Sequence, residues 1–150
     1  MNEFRRILVP TDFSPHAVEA TRVAADLAQR YAGRLTLVYA FEPLAFALPD
    51  GYVMYTPDQL SRFLADVDER MLEAERVARA AGATEVETRV LQGFAPEEIV
   101  RVATEDRFDL IVMGTHGRAG IARVLIGSVA ERVVRTAPCP VLTLRAREQG

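Results

Sequence analysis

The sequence predicts an α/β fold, a three-layer sandwich in which helices cover both faces of a five-stranded parallel sheet. Two observations carry that prediction. Short β-rich apolar runs alternate along the chain with longer segments of helical period, the pattern of parallel strands joined by crossover helices. One run, "LIVM" at residues 110–113, is apolar without interruption, as a central parallel strand covered on both sides has to be. With 150 residues, 49% of them hydrophobic and 26% charged, the chain is expected to form one domain, residues 1–150, with a core of ordinary size.

The first strand is read at residues 5–10, "RRILVP". The helix behind it has a well-marked start, with Ser14 as N-cap, Pro15 at the first helical position, and Phe13 and Val18 placed as a hydrophobic staple. Its inner face is expected at Val18, Thr21, Ala25 and Ala28. Gly33 closes the helical region, and residues 34–40 ("RLTLVYA") form the second strand. Residues 41–55 then make a connection without secondary structure, unusually apolar and aromatic for a loop. Thr56, Pro57 and Gln59 spell a capping box that opens a helix running to about Ala81, where Gly82 stops it. The third strand follows at about residues 85–91. Pro96, Glu97 and Glu98 start the third helix, since negative charge suits that end of the macrodipole, and it ends near Asp106. The fourth strand covers residues 109–113. Ser128 with Glu131 reads as another capping box, opening a last helix that ends near Thr136 before "CPVLTL" supplies the fifth strand.

All eighteen basic residues are arginine; the sequence has no lysine. Walker-type phosphate loops, Schiff-base enzymes and lysine-dependent kinases each need an ammonium group at a fixed place, so all are excluded. Any phosphate chemistry has to use backbone amides, hydroxyls, arginine or a metal. A net charge of −3 with scattered arginines leaves no electrostatic footprint for DNA, RNA or an anionic membrane. The N-terminal "ILV" is too short for a signal-peptide core, and no stretch approaches the ~18 apolar residues of a membrane span, so the cytoplasm is the expected address. The single cysteine, Cys139, stands between Pro138 and Pro140 without the neighbours of an activated thiolate, and is read as core filler in a reducing compartment.

Behind the fourth strand comes "MGTHGRAGIARVLIGS", residues 113–128, with four glycines among sixteen residues. A loop that leaves the carboxyl end of a central parallel strand and enters a helix N-terminus presents unpaired amides at the positive end of a dipole, a ready anion site. Glycine lets that backbone approach a phosphate closely and adopt positive φ, so that amides converge as a nest. The Ser128 hydroxyl can cap its helix, donate to a phosphate oxygen, or do both, and Arg118 and Arg123 can add charge-assisted bonds. The alternative is one glycine for each turn and chance for the remainder. At about 7% glycine usage, G-x-x-G-x(9)-G-[ST] arises by accident in roughly one chain of this length in two hundred, so chance is a poor account.

These residues resemble the universal stress proteins, whose ATP-binding branch carries G-x-x-G-x(9)-G-[ST] after the fourth strand. Here the pattern reads Gly114, Gly117, Gly127, Ser128 without a departure. "ILVPTDFS" at residues 7–14 looks like the family's first strand and turn, "GFAPEEIV" like the start of its third helix, and "APCPVLTL" like its final strand. The likeness covers nearly the whole chain apart from residues 41–55. It implies the strand order 3-2-1-4-5 in an adenine-nucleotide-binding, Rossmann-like arrangement. Strands one and four are then neighbours whose connections leave to opposite sides, and ligands bind in the crevice outside their carboxyl ends. The resemblance places adenosine near Pro10, Thr11, Asp12 and the backbone of Ala40, with Asp12 suited to accept hydrogen bonds from ribose hydroxyls. It makes Met113, Gly114, Thr115, His116, Gly117, Arg118, Ala119 and Gly120, with Gly127, Ser128, Val129 and Ala130, the rest of the nucleotide site, the phosphates lying along 114–120 and 128–130. It also implies ATP as the ligand, stress response as the physiological setting, and a homodimer through the last strand, Val141–Leu144, an open sheet edge.

Single residues keep two readings. Asp12 is either a turn former ahead of the Ser14 cap or a ligand contact, and beside a glycine loop the ligand reading leads. His116 either donates to a phosphate or is a solvated loop residue, while His16 is read as structural or exposed. Two histidines make a weak zinc site, so no metal site is assigned to them. Magnesium accompanying a bound triphosphate would take Asp12 as its carboxylate. The apolar residues Phe41, Leu44, Phe46, Leu48, Tyr52, Val53, Met54 and Tyr55 form a lid, a surface for an unidentified protein partner, or satellite core. A contact surface is preferred, because so long a connection is often functional.

Three functions compete. In the first, ATP occupies the cleft, orders the glycine loop, and a partner or the dimer reads the change. In the second the protein is a slow ATPase or another adenylate-using enzyme. Against it stand the missing lysine, the lack of a general base aimed at a γ-phosphate, and "PTDFSP" where nucleotidyl transferases of related architecture carry a serine-rich loop, so no catalytic residue is assigned. The third is a dimeric scaffold with an empty cleft or another small adenylate, and the complete glycine pattern argues against an empty one.

Overall fold

The computed structural model describes residues 3–42, 46–48, 51–53, 55–115 and 126–146. In chain order the elements are β1 (Arg6–Pro10), α1 (Pro15–Arg30), β2 (Arg34–Phe41), β3 (Phe46–Leu48), β4 (Gly51–Val53), α2 (Pro57–Ala80), β5 (Glu85–Gln92), α3 (Ala95–Glu105), β6 (Leu110–Gly114), α4 (Ser128–Thr136) and β7 (Val141–Leu144). Five strands form one parallel sheet in the order β5-β2-β1-β6-β7. With the β3–β4 pair set aside, this is the predicted order 3-2-1-4-5.

The period-two alternation of strand side chains assigns each core residue to a layer. Ile7 and Val9 of β1, Leu35 and Leu37 of β2, and Leu110 and Val112 of β6 pack with α1 and α2, against Ala20, Ala24, Val67 and Met71. Leu8, Val38, Ile111 and Met113 pack on the other face with α3 and α4, against Ile99, Val102, Ala130 and Val133. Covered on both faces, residues 7–10 of β1 and 110–113 of β6 have no position for a polar side chain, which is why they read as unbroken apolar runs. Their starts are tied together by Asp109, whose Oδ2 accepts the Arg6 and Arg5 N–H groups at 2.8 and 3.1 Å. Among the described residues no helix is long and apolar enough to cross a membrane.

The caps of α1 and α2 are those the sequence spells. Ser14 Oγ accepts the Ala17 N–H at 3.3 Å, and Thr56 and Gln59 exchange both bonds of a capping box at 3.2 and 2.9 Å. Two expectations need correction. The buried face of α1 is Ala17, Ala20, Thr21, Ala24, Ala25 and Ala28, while Val18 is only half-buried. A ridge of alanines lets the helix backbone lie close to the sheet, and the bulkier valine is displaced to the side. The connection after β2 is also not without secondary structure: β3 and β4 pair antiparallel, Phe46 opposite Val53 and Leu48 opposite Gly51. The signal was present in Pro49-Asp50-Gly51, a turn-forming composition between apolar runs.

Candidate functional site

Neighbouring strands β1 and β6 pair Ile7 with Leu110 and Leu8 with Ile111, yet their connections diverge. The chain leaves β1 for α1 in one helical layer and leaves β6 for α4 in the other. A crevice therefore opens outside their carboxyl ends, at the point where the winding of the sheet reverses. The structure brings Pro10, Thr11, Asp12, Ala40, Met113, Gly114 and Thr115 to this end, together with Gly127, Ser128, Val129 and Ala130 at the start of α4.

Strand β2 outruns β1. Their pairing ends at Pro10 opposite Val38, followed by a last bond from the Thr11 N–H to the Val38 C=O at 2.9 Å. In a parallel sheet the N–H and C=O of one residue point to the same neighbouring strand, and those of the next residue to the other. Phe41 bonds towards the β5 side, its C=O accepting the Gly93 N–H at 2.8 Å. Ala40 therefore turns its N–H and C=O towards the space beyond the end of β1. The same alternation applies to β6, where Ile111 and Thr115 bond towards β7 and Gly114 faces the β1 side.

Between β1 and α1 the chain makes a tight turn through its own side chains. Thr11 Oγ1 accepts the Phe13 N–H at 3.0 Å and Asp12 Oδ1 accepts the Ser14 N–H at 2.9 Å. Phe13 is driven into the left-handed region, φ +64°. Its ring stacks on Tyr39 with centroids 4.9 Å apart, and the Arg70 guanidinium lies 5.8 Å from the ring centre, so a strained residue is clamped from two sides. The turn-forming use of Asp12 is realised through Oδ1. Among the described residues Oδ2 makes no such bond.

Gly114 closes β6 against the first turn of α1. A Cβ there would stand 2.7 Å from His16 Cβ and 3.0 Å from the His16 carbonyl carbon. Helix packing therefore demands this glycine directly, beyond the close backbone approach read from the sequence. Thr115, buried, donates its N–H and its hydroxyl to the Leu144 C=O at 2.8 and 3.3 Å. The Thr115 C=O accepts the Gly127 N–H, so the two ends of the glycine-rich segment are joined at a neck. His116, Gly117, Arg118, Ala119, Gly120 and Arg123 lie outside the described residues.

The start of α4 differs from the expected capping box. Gly127, extended at φ −71° and ψ 161°, is the N-cap, and its C=O accepts the Glu131 N–H at 2.9 Å. Ser128 is thus the first helical residue, no side chain caps the helix, and Glu131 pairs with Arg135 at 2.8 Å. The reason is the extended backbone at Gly127, which starts the helix one residue earlier than a Ser-x-x-Glu box would. The exposed Ser128 hydroxyl is then not engaged as a cap, and the N–H groups of Ser128, Val129 and Ala130 stand at the positive end of the α4 dipole.

A separate hollow of about 130 Å³ opens between α1 and α2, lined by Thr11, Phe13, Val18, Thr21, Ala74 and Val77 with Arg70 and Glu73 at its rim. Its polar groups are already engaged: Thr21 donates to the Ala17 C=O, Arg70 pairs with Asp66, and Glu73 with Arg76. Several groups whose protonation the fold shifts stand on β5, on α3 and beside them. The hydrogen bonds that Arg89 donates to Glu87 and then to Asp106 raise its guanidinium, the same Arg89 contact lowers the Asp106 carboxyl, and Arg101 lowers Glu98. His16, read from the sequence as structural or exposed, is structural: its Nδ1 accepts the Ala146 N–H at 2.8 Å. A lone histidine in the first turn of a helix carries no sequence signal for a partner 130 residues away.

The family model described as the universal stress protein family matches residues 3–145. A curated relative, a universal stress protein of Thermus aquaticus, is 37% identical over 148 residues, covering 95% of this chain and 99% of its own. A universal stress protein solved in complex with cAMP superimposes with a TM-score of 0.74 at 28% identity, covering 96% of this chain and 98% of the other. The universal stress protein from Archaeoglobus fulgidus in complex with dAMP gives a TM-score of 0.70 at 25% identity, with coverage of 95% and 98%.

Proposed function

The chain belongs to the universal stress protein family, and from that premise we propose that it is an adenine-nucleotide-binding regulatory module whose site is the crevice outside β1, β2 and β6. The observation that carries this reading is the overrun of β2. Ala40 presents a main-chain donor and acceptor beyond the last β1 pair, Pro10 with Val38, and adenine offers the complementary acceptor and donor on its Watson–Crick edge. Two structural neighbours were solved with cAMP and dAMP, which share that base and differ in their phosphates.

The remaining groups suit the rest of the ligand. Asp12 Oδ2 accepts from ribose hydroxyls without disturbing the Oδ1 bond that shapes the turn. The N–H groups of Ser128, Val129 and Ala130 and the Ser128 hydroxyl face a phosphate at the mouth of α4. The spacing of Gly114, Gly117, Gly127 and Ser128 resembles that of the family's ATP-binding branch, so ATP is the proposed ligand. Magnesium, when bound, would neutralise phosphate charge, with Asp12 as the carboxylate that would hold it. The chain has no lysine to stabilise a transferring phosphoryl group, which favours a ligand that is read over one that is consumed. The dimer contact proposed with this reading is β7, an edge strand whose Leu142 is 37% exposed.

The test is thermal and chemical. ATP at a hundred times its Kd should stabilise the fold by about 2.7 kcal/mol, with GTP well below it. Mass spectrometry of the nucleotide that co-purifies should return an adenylate. No shift with ATP, AMP or cAMP overturns the reading, and stoichiometric phosphate release within hours would replace the binder by an ATPase.

A further inference from the structure

The hollow between α1 and α2 is built from short side chains. Val18 and Thr21 on α1 and Ala74 and Val77 on α2 leave about 130 Å³ between the helices, with Thr11 and Phe13 completing the wall. Among the described residues no buried side-chain polar atom lacks a hydrogen-bond partner. Both hydroxyls of this wall are taken: Thr11 Oγ1 accepts the Phe13 N–H at 3.0 Å, and Thr21 Oγ1 donates to the Ala17 C=O at 2.8 Å. A buried water needs about two to four polar partners, which these side chains do not offer. At the rim Arg70 and Glu73 carry opposite charges, and each is paired on its own helix, with Asp66 and Arg76, both at 3.1 Å. A charged ligand therefore finds both rim charges already matched. Volume, wall and rim together suit an uncharged apolar molecule; an apolar cavity of about 150 Å³ takes up benzene.

We propose that this hollow is a binding site for a small uncharged apolar molecule, a single aromatic or aliphatic ring, and that the turn carrying Asp12 feels its occupancy. Phe13 links the two. It belongs to the wall, and it is the residue held in the left-handed region, φ +64°, by its stack on Tyr39 and by Arg70 over its ring. Thr11 and Asp12 accept the N–H groups of Phe13 and Ser14 at 3.0 and 2.9 Å, so the conformation of Phe13 and the direction of Asp12 are set in one turn. A backbone conformation that persists only because its surroundings over-determine it responds when one more contact is added to them. An occupant of the hollow adds that contact by dispersion. Of the wall residues only Thr11 also belongs to the proposed nucleotide crevice, so the site goes beyond that reading and does not depend on it.

Benzene titrated into the ligand-free full chain, followed through amide resonances, tests this. The amides of Val18, Thr21, Ala74 and Val77 should shift saturably at millimolar benzene, and those of Phe13 and Ser14 should follow the same curve. Benzoate and benzylammonium should bind roughly ten-fold more weakly, since neither charge finds a partner there. Ala74→Leu, which fills the hollow, should lose the saturable response. Val18→Ala, which widens it, should bind ethylbenzene about three-fold more tightly than the wild type does, and this decides the matter if Ala74→Leu does not fold. Shifts that never saturate, that spread beyond α1, α2 and the turn, or that persist in a folded Ala74→Leu protein overturn the site. Phe13 and Ser14 amides that stay still while the wall amides saturate overturn the link to Asp12. ATP added to the benzene complex should leave the wall shifts in place; displacement of benzene by ATP would make the hollow part of the nucleotide crevice and overturn a separate site. If ATP binds nowhere, the nucleotide reading fails while the benzene titration still decides the hollow.

Discussion

Gly114 and His16 touch backbone to side chain, with room for a hydrogen on Gly114 and for nothing larger. The first glycine of the motif is thus required by α1 whether or not a ligand approaches. Gly114→Ala should cost about 1–3 kcal/mol in urea unfolding, the range for overpacking a close contact. Gly117→Val should leave unfolding unchanged while abolishing ATP binding by calorimetry, if the proposed phosphate site runs along the glycine motif. A Gly114→Ala protein as stable as wild type would show that α1 gives way at little cost.

Two serines at helix starts, one the N-cap and one the first helical residue, should behave differently. Ser14 Oγ accepts the Ala17 N–H, so Ser14→Ala should lose about 1 kcal/mol of stability. Ser128 lies one residue inside α4 and caps nothing, so Ser128→Ala should stay within ~0.5 kcal/mol of wild type. Its effect should appear in ATP affinity instead. Equal stability losses in denaturant melts would mean that Ser128 caps α4 after all.

The contrast between these serines marks how far the sequence carries. Strand order, the caps at Ser14 and Thr56, and the apolar runs of β1 and β6 were legible because each depends on local pattern or on a topology the motifs imply. The start of α4 was not, because Ser-x-x-Glu satisfies the capping pattern while the backbone at Gly127 decides where the helix begins. The buried face of α1 was read correctly at Thr21, Ala25 and Ala28 but misread at Val18, because hydrophobicity ranks Val18 above Ala17 and Ala24, whereas close helix-on-sheet packing favours the smaller residue. At the candidate site, Asp12 and the glycine spacing were visible. The Ala40 main-chain groups beyond β1, the Thr115–Gly127 neck and the His16–Ala146 bond are products of tertiary register, which side-chain identities do not encode.

Asp12 offers a separation of folding from binding. Asn keeps an Oδ1 acceptor for the Ser14 N–H and loses the charge, so Asp12→Asn should keep its unfolding midpoint while ATP affinity falls by about ten-fold, the loss expected when a charge-assisted hydrogen bond becomes a neutral one. Asp12→Ala removes the turn bond as well and should lose both stability and affinity. An Asp12→Asn protein with wild-type affinity would leave the carboxylate with a turn-forming role alone.

Cys139 provides a pH test independent of any ligand. Its side chain is half-buried against the α3–α4 core, and burial, followed by the nearby Asp109 charge, pushes the thiol above its ordinary value, opposed by a hydrogen bond with the Ile111 backbone. Only the thiolate attacks iodoacetamide. Alkylation of the folded protein at pH 7.5 should therefore be slower than that of the denatured chain, rising with pH until the folded thiol ionises. The sign for stability follows: since the fold favours the protonated thiol, its contribution is complete below the unfolded thiol's pKa and is lost as pH rises through the folded one. Cys139→Ser should flatten that alkaline decline, measured as the urea midpoint between pH 7.5 and 10. An unchanged decline would assign the alkaline loss to other groups.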